Sequence, residues 1–121
     1  MRPFSGLAME VIDLANPGIQ GVVTGQWKSI NELPHYTGVG MPETKEDLLA
    51  LWDETTQQIN RLWPMLSPER FQEIVVAFGE YEGPIWGVIF YWIDNEIHHR
   101  GQGYVYLRSL DITPPAFWDR Y

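Results

Sequence analysis

Two histidines, two carboxylates and one amide lie close together within residues 94–99. Residues four apart share one face of an α-helix, so a helix here would pair Asp94 with His98 and Asn95 with His99. Neutral imidazole binds zinc, nickel and iron, and two ligands one helical turn apart can hold the same ion. The spacing therefore predicts two alternative half-sites for a metal, each needing a further ligand from another helix.

The same residues also allow a purely structural interpretation. His98 and His99 are adjacent, so their side chains diverge by about 100° on a helix and do not form a ligand pair. Spacing alone favours one histidine satisfied in the core and the other in solvent, because short motif matches often arise by chance. Gln102 and Tyr106 are then interior hydrogen-bonding residues. His35, far away in the sequence, is expected to be a surface or packing residue.

Composition excludes several classes of function. The chain has 121 residues, which predicts a single domain over 1–121. A net charge of −8 with only eight Lys and Arg argues against nucleic-acid binding, and no apolar run is long enough to cross a bilayer. The absence of cysteine excludes disulfides and thiolate ligands. These features suit a reducing compartment, so we expect a cytoplasmic location.

The first predicted helix covers about residues 5–23, where apolar side chains recur at three- and four-residue steps. Pro17 lies inside it, so a kink or break is expected there. Residues 27–41 have no periodicity and predict a loop. Three side chains are expected to pack this loop against the core: Trp27, Leu33 and Tyr36.

The second predicted helix has the clearest start signal. Thr44 can cap it, with Asp47 three residues later as in a capping box, and its apolar stripe ends before Pro64. A short helical turn is expected to open at Ser67. Residues 74–78 leave helix and extended strand both open, and the next five residues predict a turn.

The longest predicted helix covers about residues 84–110 and is apolar over a wide arc, which is typical of a central helix or of one at a subunit contact. Glu96 and Arg100 have the spacing of a helical ion pair on its outer face. Two prolines should end the helix, and Phe117 and Trp118 are expected to fold back onto it.

The C-terminal residues 94–121 resemble the last helix of the DinB-like superfamily, which includes the DinB and YfiT relatives. The matching motifs are the His-His-Arg-Gly-Gln core, the Tyr-x-Tyr-Leu-Arg continuation and the closing Pro-Pro. Weaker similarity extends through residues 42–49 and 24–27. The resemblance implies an all-α fold, an up-down four-helix bundle that is typically dimeric. It also implies a divalent metal held by three histidines, one on the second helix and a His-x-x-x-His pair on the last.

Carried over by position, the last-helix pair falls on Asn95 and His99, and the ligand on the second helix falls on or near Glu10, within residues 7–11. The resemblance thus implies Glu10, Asn95 and His99 as candidate metal ligands, with only one of the three histidines retained. Such a set should bind more loosely than three imidazoles and favour harder ions. Zinc, nickel and manganese are the candidate ions. The alternative is that the metal has been lost and the three side chains form a hydrogen-bonded core cluster.

The resemblance also suggests a function and a partner. Some members are metal-dependent S-transferases or hydrolases that use low-molecular-weight thiols, and in that case Asp94 or His98 could tune the site from outside. The alternative is a non-catalytic binding or stress-response protein. The chain lacks a match to the first family helix, which would leave an apolar face open. We therefore expect a homodimer in which a second copy covers this face or supplies the missing helix.

Overall fold

The computed structural model describes residues 2–119. Helix α1 (Phe4–Thr24) packs against both α3 (Lys45–Leu62) and α4 (Ile85–Ser109), so it is the central helix of the bundle. Besides short 3₁₀ turns, the remaining elements are a one-turn helix, α2 (Pro34–Thr37), and a hairpin of β1 (Ile74–Ala77) and β2 (Tyr81–Pro84). The prediction of a mostly helical fold is confirmed, and the hairpin is an addition to the expected all-α fold. None of the helices in this part of the chain is both long and apolar enough to cross a membrane.

Helix α1 runs without interruption through Pro17, so the predicted break is wrong. A proline removes one backbone hydrogen bond, but the apolar residues on either side of it are buried and hold both halves in place. Ile12 and Leu14 are buried before Pro17, and Ile19 and Val22 after it. The helix ends at Gly25, whose φ of 77° is the left-handed conformation that glycine adopts readily.

Two glycines of α1 allow large aromatic rings to lie directly on the helix backbone. A Cβ atom at Gly18 would lie 2.4 Å from the Trp92 ring of α4, and one at Gly21 would lie 2.3 Å from the Trp27 ring. Both distances are far below van der Waals contact, so neither position can carry a side chain without displacing the tryptophan. Gly18 therefore sets how closely α4 approaches α1.

Helix α3 begins as predicted. The Thr44 hydroxyl oxygen accepts a hydrogen bond of 3.1 Å from the backbone N–H of Asp47, and Leu62 is the last helical residue before a 3₁₀ turn containing Pro64. A second 3₁₀ turn (Pro68–Gln72) follows Ser67, as expected, although the serine side chain makes no capping hydrogen bond.

The hairpin corrects the predicted turn at residues 79–83, part of which is strand β2. The two strands are antiparallel, with Ile74 opposite Pro84 and Ala77 opposite Tyr81. Phe78 and Gly79 form the turn with φ of 55° and 78°, the combination that defines a type I′ turn. A bulky residue rarely adopts this conformation. Phe78 is held in it because its buried ring packs edge-on against Trp27, with 5.3 Å between ring centroids.

Two expected packing contacts are also wrong. Leu33 is fully buried in the loop, as predicted, but Tyr36 is mostly exposed. Phe117 and Trp118 are mostly exposed as well, and their rings contact each other edge-to-face with 5.1 Å between centroids. Pro114 is buried in this segment, so a proline contacts the core where the aromatic rings were expected to do so.

Candidate functional site

Helices α1 and α4 bring the three predicted site residues together. The Glu10 Oε1 atom lies 3.2 Å from His99 Nε2 and 3.4 Å from Asn95 Nδ2. Asn95 and His99 are each only 9% exposed, whereas Asp94 and His98 are exposed to solvent. Of the two half-sites that the spacing allowed, the Asn95 and His99 pair is therefore the one that faces inward.

The imidazole of His99 is oriented by Gln102, one turn further along α4. Nδ1 of His99 lies 2.8 Å from the side-chain carbonyl oxygen of Gln102, so Nδ1–H is the donor in this contact. If the ring carries no second proton, its Nε2 lone pair then faces Glu10 Oε1. A lone pair facing a carboxylate oxygen is repulsive unless a second proton or a cation lies between them. Metal-binding imidazoles are commonly oriented by such a hydrogen bond on the far nitrogen.

Arg2 also contacts Glu10, and the sequence did not predict this contact. Its Nη1 donates to Glu10 Oε2, the carboxylate oxygen that does not face His99. The hydroxyl of Tyr106 donates to the backbone carbonyl of Arg2 and so connects this segment to α4. Tyr106 and Gln102 both act as hydrogen-bonding residues within the fold, as expected. Arg2 precedes the first helix, where no periodicity could indicate its partner.

Asn95 leaves one polar atom unsatisfied. Its Oδ1 is buried and has no hydrogen-bond partner among residues 2–119. A buried carbonyl oxygen without a partner typically costs about 1–3 kcal/mol. A half-turn of the amide group would place Oδ1 at the Nδ2 position, 3.4 Å from Glu10 Oε1. A cation shared by these atoms would satisfy the amide oxygen and the two groups that face each other.

The donor atoms have spacings suited to a single ion. Ligands held about 2.1 Å from one metal lie roughly 3.0–3.4 Å from each other, and the Glu10 and His99 atoms are 3.2 Å apart. Across residues 2–119, however, no three His, Cys, Asp or Glu side chains form a ligand set. The cluster offers one carboxylate, one imidazole and one amide. These residues fit a divalent cation, held more weakly than by three histidines.

Glu10 and His99 belong to the linings of two different cavities. The bundle cavity, of about 320 Å³, lies between α1, α3 and α4 with mostly apolar walls, and His99 is part of its lining. An ion pair of α4, in which Arg100 Nη1 lies 3.2 Å from Glu96 Oε1, confirms the predicted pairing, but it borders this cavity and does not lie on the outer face of the helix, where we expected it. The hairpin cavity, of about 580 Å³, lies between α1, α2, the hairpin and α4, and Glu10 is part of its lining.

A second carboxylate and imidazole pair lies in the wall of the hairpin cavity. Asp13 Oδ2 accepts hydrogen bonds from the backbone N–H and from Nδ1 of His35, each 2.8 Å long. Both side chains are only 5% exposed. His35 was expected at the surface or in a packing role, and its side chain is buried. Nothing local in the sequence connects it to a residue 22 positions earlier.

The family model that describes the DinB family matches residues 42–120, more than half of the chain. The chain belongs to the DinB family. The match covers α3 and α4, including Asn95 and His99, whereas Glu10 on α1 precedes it. No curated protein matches the chain. DinB membership establishes the kind of helical fold, and the chemistry has to be argued from the site itself.

Proposed function

We propose that this DinB-family protein binds a divalent cation through Glu10, Asn95 and His99 and uses it in thiol transfer or hydrolysis on a small molecule. The observation that carries the proposal is the convergence of a carboxylate, an imidazole and a buried amide oxygen on one point between α1 and α4. His99 Nε2 and Glu10 Oε1 face each other at 3.2 Å, and the buried Asn95 Oδ1 has no partner among the described residues. A cation at this point satisfies all three groups.

The protein residues around the site have separate tasks in this proposal. A bound divalent ion supplies a nucleophilic water or thiolate at neutral pH. Gln102 fixes the tautomer and orientation of His99, so that Nε2 stays directed inward. The apolar walls of the bundle cavity hold the nonpolar part of a substrate and exclude water, and the Glu96–Arg100 pair provides a polar contact at its edge.

Arg2 favours a second candidate function. Its guanidinium already neutralises Glu10 by contacting Oε2, which is the role that a metal ion would otherwise fill. In a protein that has lost its metal, Arg2, Glu10 and a protonated His99 would form a closed ion cluster. The chain would then be a non-catalytic binding protein that keeps the family pocket. The difference between the two candidates is whether a cation displaces the proton of His99.

Metal analysis with a matched pair of variants tests the proposal. Protein purified without chelator and exposed to manganese, zinc or nickel should retain about one ion per chain, and His99→Ala should lose it. His98→Ala is the control, because His98 is the adjacent histidine but is exposed. Metal that survives His99→Ala, or wild-type protein that binds no divalent ion and shows no thermal shift, favours the second candidate.

We also propose that the protein forms a homodimer through an exposed apolar stripe on α4. The stripe consists of four large side chains, each between 45% and 59% exposed: Trp86, Phe90, Ile93 and Ile97. Their spacing of four, three and four residues is the repeat of a helix–helix seam, which allows α4 to pair with its copy about a twofold axis. Large exposed apolar patches on soluble domains commonly mark such contacts.

Light scattering after size-exclusion chromatography tests this association. Wild-type protein should elute as a dimer, and Ile93→Asp should convert it to a folded monomer. Val39→Asp is the matched control, because Val39 is also an exposed apolar residue but lies in the loop outside the stripe. A wild-type protein that stays monomeric at high concentration would contradict the proposal.

A further inference from the structure

The hairpin cavity has walls of a different character from those of the bundle cavity. It contains carboxylates, tyrosine rings and one imidazole, and its volume of about 580 Å³ is in the range of small-molecule pockets. Three of the acidic residues of the chain line it: Glu10, Glu80 and Glu82. Among residues 2–119, Arg2 is the one lysine or arginine in its lining, and it is already paired with Glu10. The unpaired charge at this cavity is therefore negative.

His35 provides a hydrogen-bond acceptor in the wall of the same cavity. Its Nδ1–H is donated to Asp13, so the neutral ring keeps its lone pair on Nε2. The side chain is 5% exposed, and within residues 2–119 Nε2 makes no hydrogen bond. Nε2 is not one of the fully buried atoms without a partner, so it is open to the cavity and can accept a hydrogen bond from a ligand that carries an N–H or O–H group. The negative charge of Asp13 behind the ring favours a cationic donor.

Aromatic rings supply the third element of recognition. Three tyrosines line the cavity while remaining more than half exposed: Tyr36, Tyr81 and Tyr91. Organic cations are attracted to the faces of such rings, most strongly where water is excluded. The type I′ turn at Phe78 and Gly79 holds the hairpin so that Glu80 and Tyr81 border the cavity beside α4.

We infer that the hairpin cavity binds a small organic ammonium ion. The ammonium group donates to His35 Nε2, Glu80 and Glu82 supply the opposing charge, and the tyrosines contact the carbon skeleton. An inorganic ion is a poorer occupant, because it offers no N–H group to His35 and no carbon skeleton to the tyrosine rings. This site uses residues other than Asn95 and His99 and does not depend on the proposed metal.

Calorimetric titration at pH 8 in the presence of EDTA tests the inference with three probes of similar shape. Benzylamine, which is protonated at this pH, should bind saturably to the wild-type protein. Benzyl alcohol has a similar size and no charge, and it should bind at least about tenfold more weakly. Benzyltrimethylammonium has the charge but no N–H group, so it should also bind more weakly than benzylamine. Equal affinity for benzylamine and benzyl alcohol would overturn the inference, and equal affinity for the two cations would overturn the role of His35.

Two double variants separate the effect of the cavity carboxylates on benzylamine binding from the effect of the net charge of the protein. Glu80→Gln with Glu82→Gln should weaken benzylamine binding about tenfold. Glu43→Gln with Glu46→Gln removes the same two charges from exposed positions next to the start of α3 and should leave binding unchanged. An equal loss in both double variants would show nonspecific attraction to an acidic protein and overturn the inference. His99→Ala should keep benzylamine binding, so failure of the metal proposal would not affect this result.

Discussion

Helix α1 presents two carboxylates three residues apart, and each reaches an imidazole on a different element. Asp13 binds His35 of α2 through two hydrogen bonds of 2.8 Å, and both side chains are 5% exposed. Glu10 faces His99 of α4 at 3.2 Å, and their side chains are 16% and 10% exposed. Glu10 also contacts Arg2, so its oxygens are shared among several groups.

The difference shows which pair is suited to structure and which to chemistry. Asp13 Oδ2 is fully used by two donors of one residue, and this contact fixes α2 against α1. The Glu10 pair is longer, more accessible and adjacent to an unsatisfied amide oxygen on Asn95. A group whose partners can change without breaking the fold is the one that can accept an ion. The closed pair is therefore the scaffold, and the open pair is the candidate metal site.

The largest expected effect is on stability when the closed pair is broken. Asp13→Ala leaves the backbone N–H and Nδ1–H of buried His35 without an acceptor, so it should lower the free energy of unfolding by about 3 kcal/mol or more. Glu10→Ala, at the more accessible pair, should cost about 1 kcal/mol. Urea denaturation measures both values. Equal losses for the two variants would remove the distinction between scaffold and site.

A second prediction concerns the contact that positions α4. Gly18→Ala places a methyl group against Trp92, so it should cost about 1–3 kcal/mol in urea denaturation and move α4 away from Glu10. Gly101→Ala is the control, because a Cβ there meets nothing within 4 Å and should stabilise the helix by up to about 1 kcal/mol. Gly18→Ala should also weaken cation binding, while the His35 ring resonances stay unchanged in NMR spectra. Unchanged cation affinity would contradict the proposed role of α4 packing.

A third prediction tests the orientation of His99. Gln102→Leu removes the acceptor of Nδ1–H, so manganese affinity should fall about tenfold or more. Gln57→Leu, at an exposed position of α3, is the matched control and should leave the affinity unchanged. Titration followed by electron paramagnetic resonance measures free and bound manganese. Equal affinities for the two variants would mean that the outer hydrogen bond does not orient a ligand.

The smallest expected effect shows whether Arg2 competes with a metal ion for Glu10 or supports metal binding there. Arg2→Ala frees Glu10 Oε2, so manganese affinity should rise about threefold, with a stability change below about 1 kcal/mol. Arg108→Ala removes the same charge from an exposed position in the last turn of α4 and should change neither quantity. A fall in manganese affinity for Arg2→Ala would show that the arginine supports the site.

Local signals in the sequence were sufficient for the long helices. The start of α3 follows from Thr44 and Asp47, which are three residues apart, and its end follows from Pro64, so no knowledge of the rest of the chain is needed. The four-residue spacing left two alternative pairs for the inward face of α4, Asp94 with His98 and Asn95 with His99. Packing against α1 buries Asn95 and His99. Glu10 was identified only through the family resemblance.

The elements that the sequence did not predict depend on long-range contacts. Phe78 adopts a positive φ because its ring packs on Trp27, more than 50 residues earlier, and no local propensity favours that conformation. The hairpin was therefore expected to be partly turn. Asp13 and His35 meet only because α2 folds back on α1. Tyr36 directly follows His35 and lines the hairpin cavity, and it stays mostly exposed there.

The most direct measurement is the anomalous scattering of manganese in crystals of the wild-type protein. The proposed function predicts one strong peak between the side chains of Glu10, Asn95 and His99, within about 2.4 Å of a donor atom of each. It also predicts that the His99 ring keeps its hydrogen bond to Gln102. Saturated crystals with no peak at this position, or with His99 Nε2 still hydrogen-bonded to Glu10, would contradict the metal site and leave the closed ion cluster as the correct description.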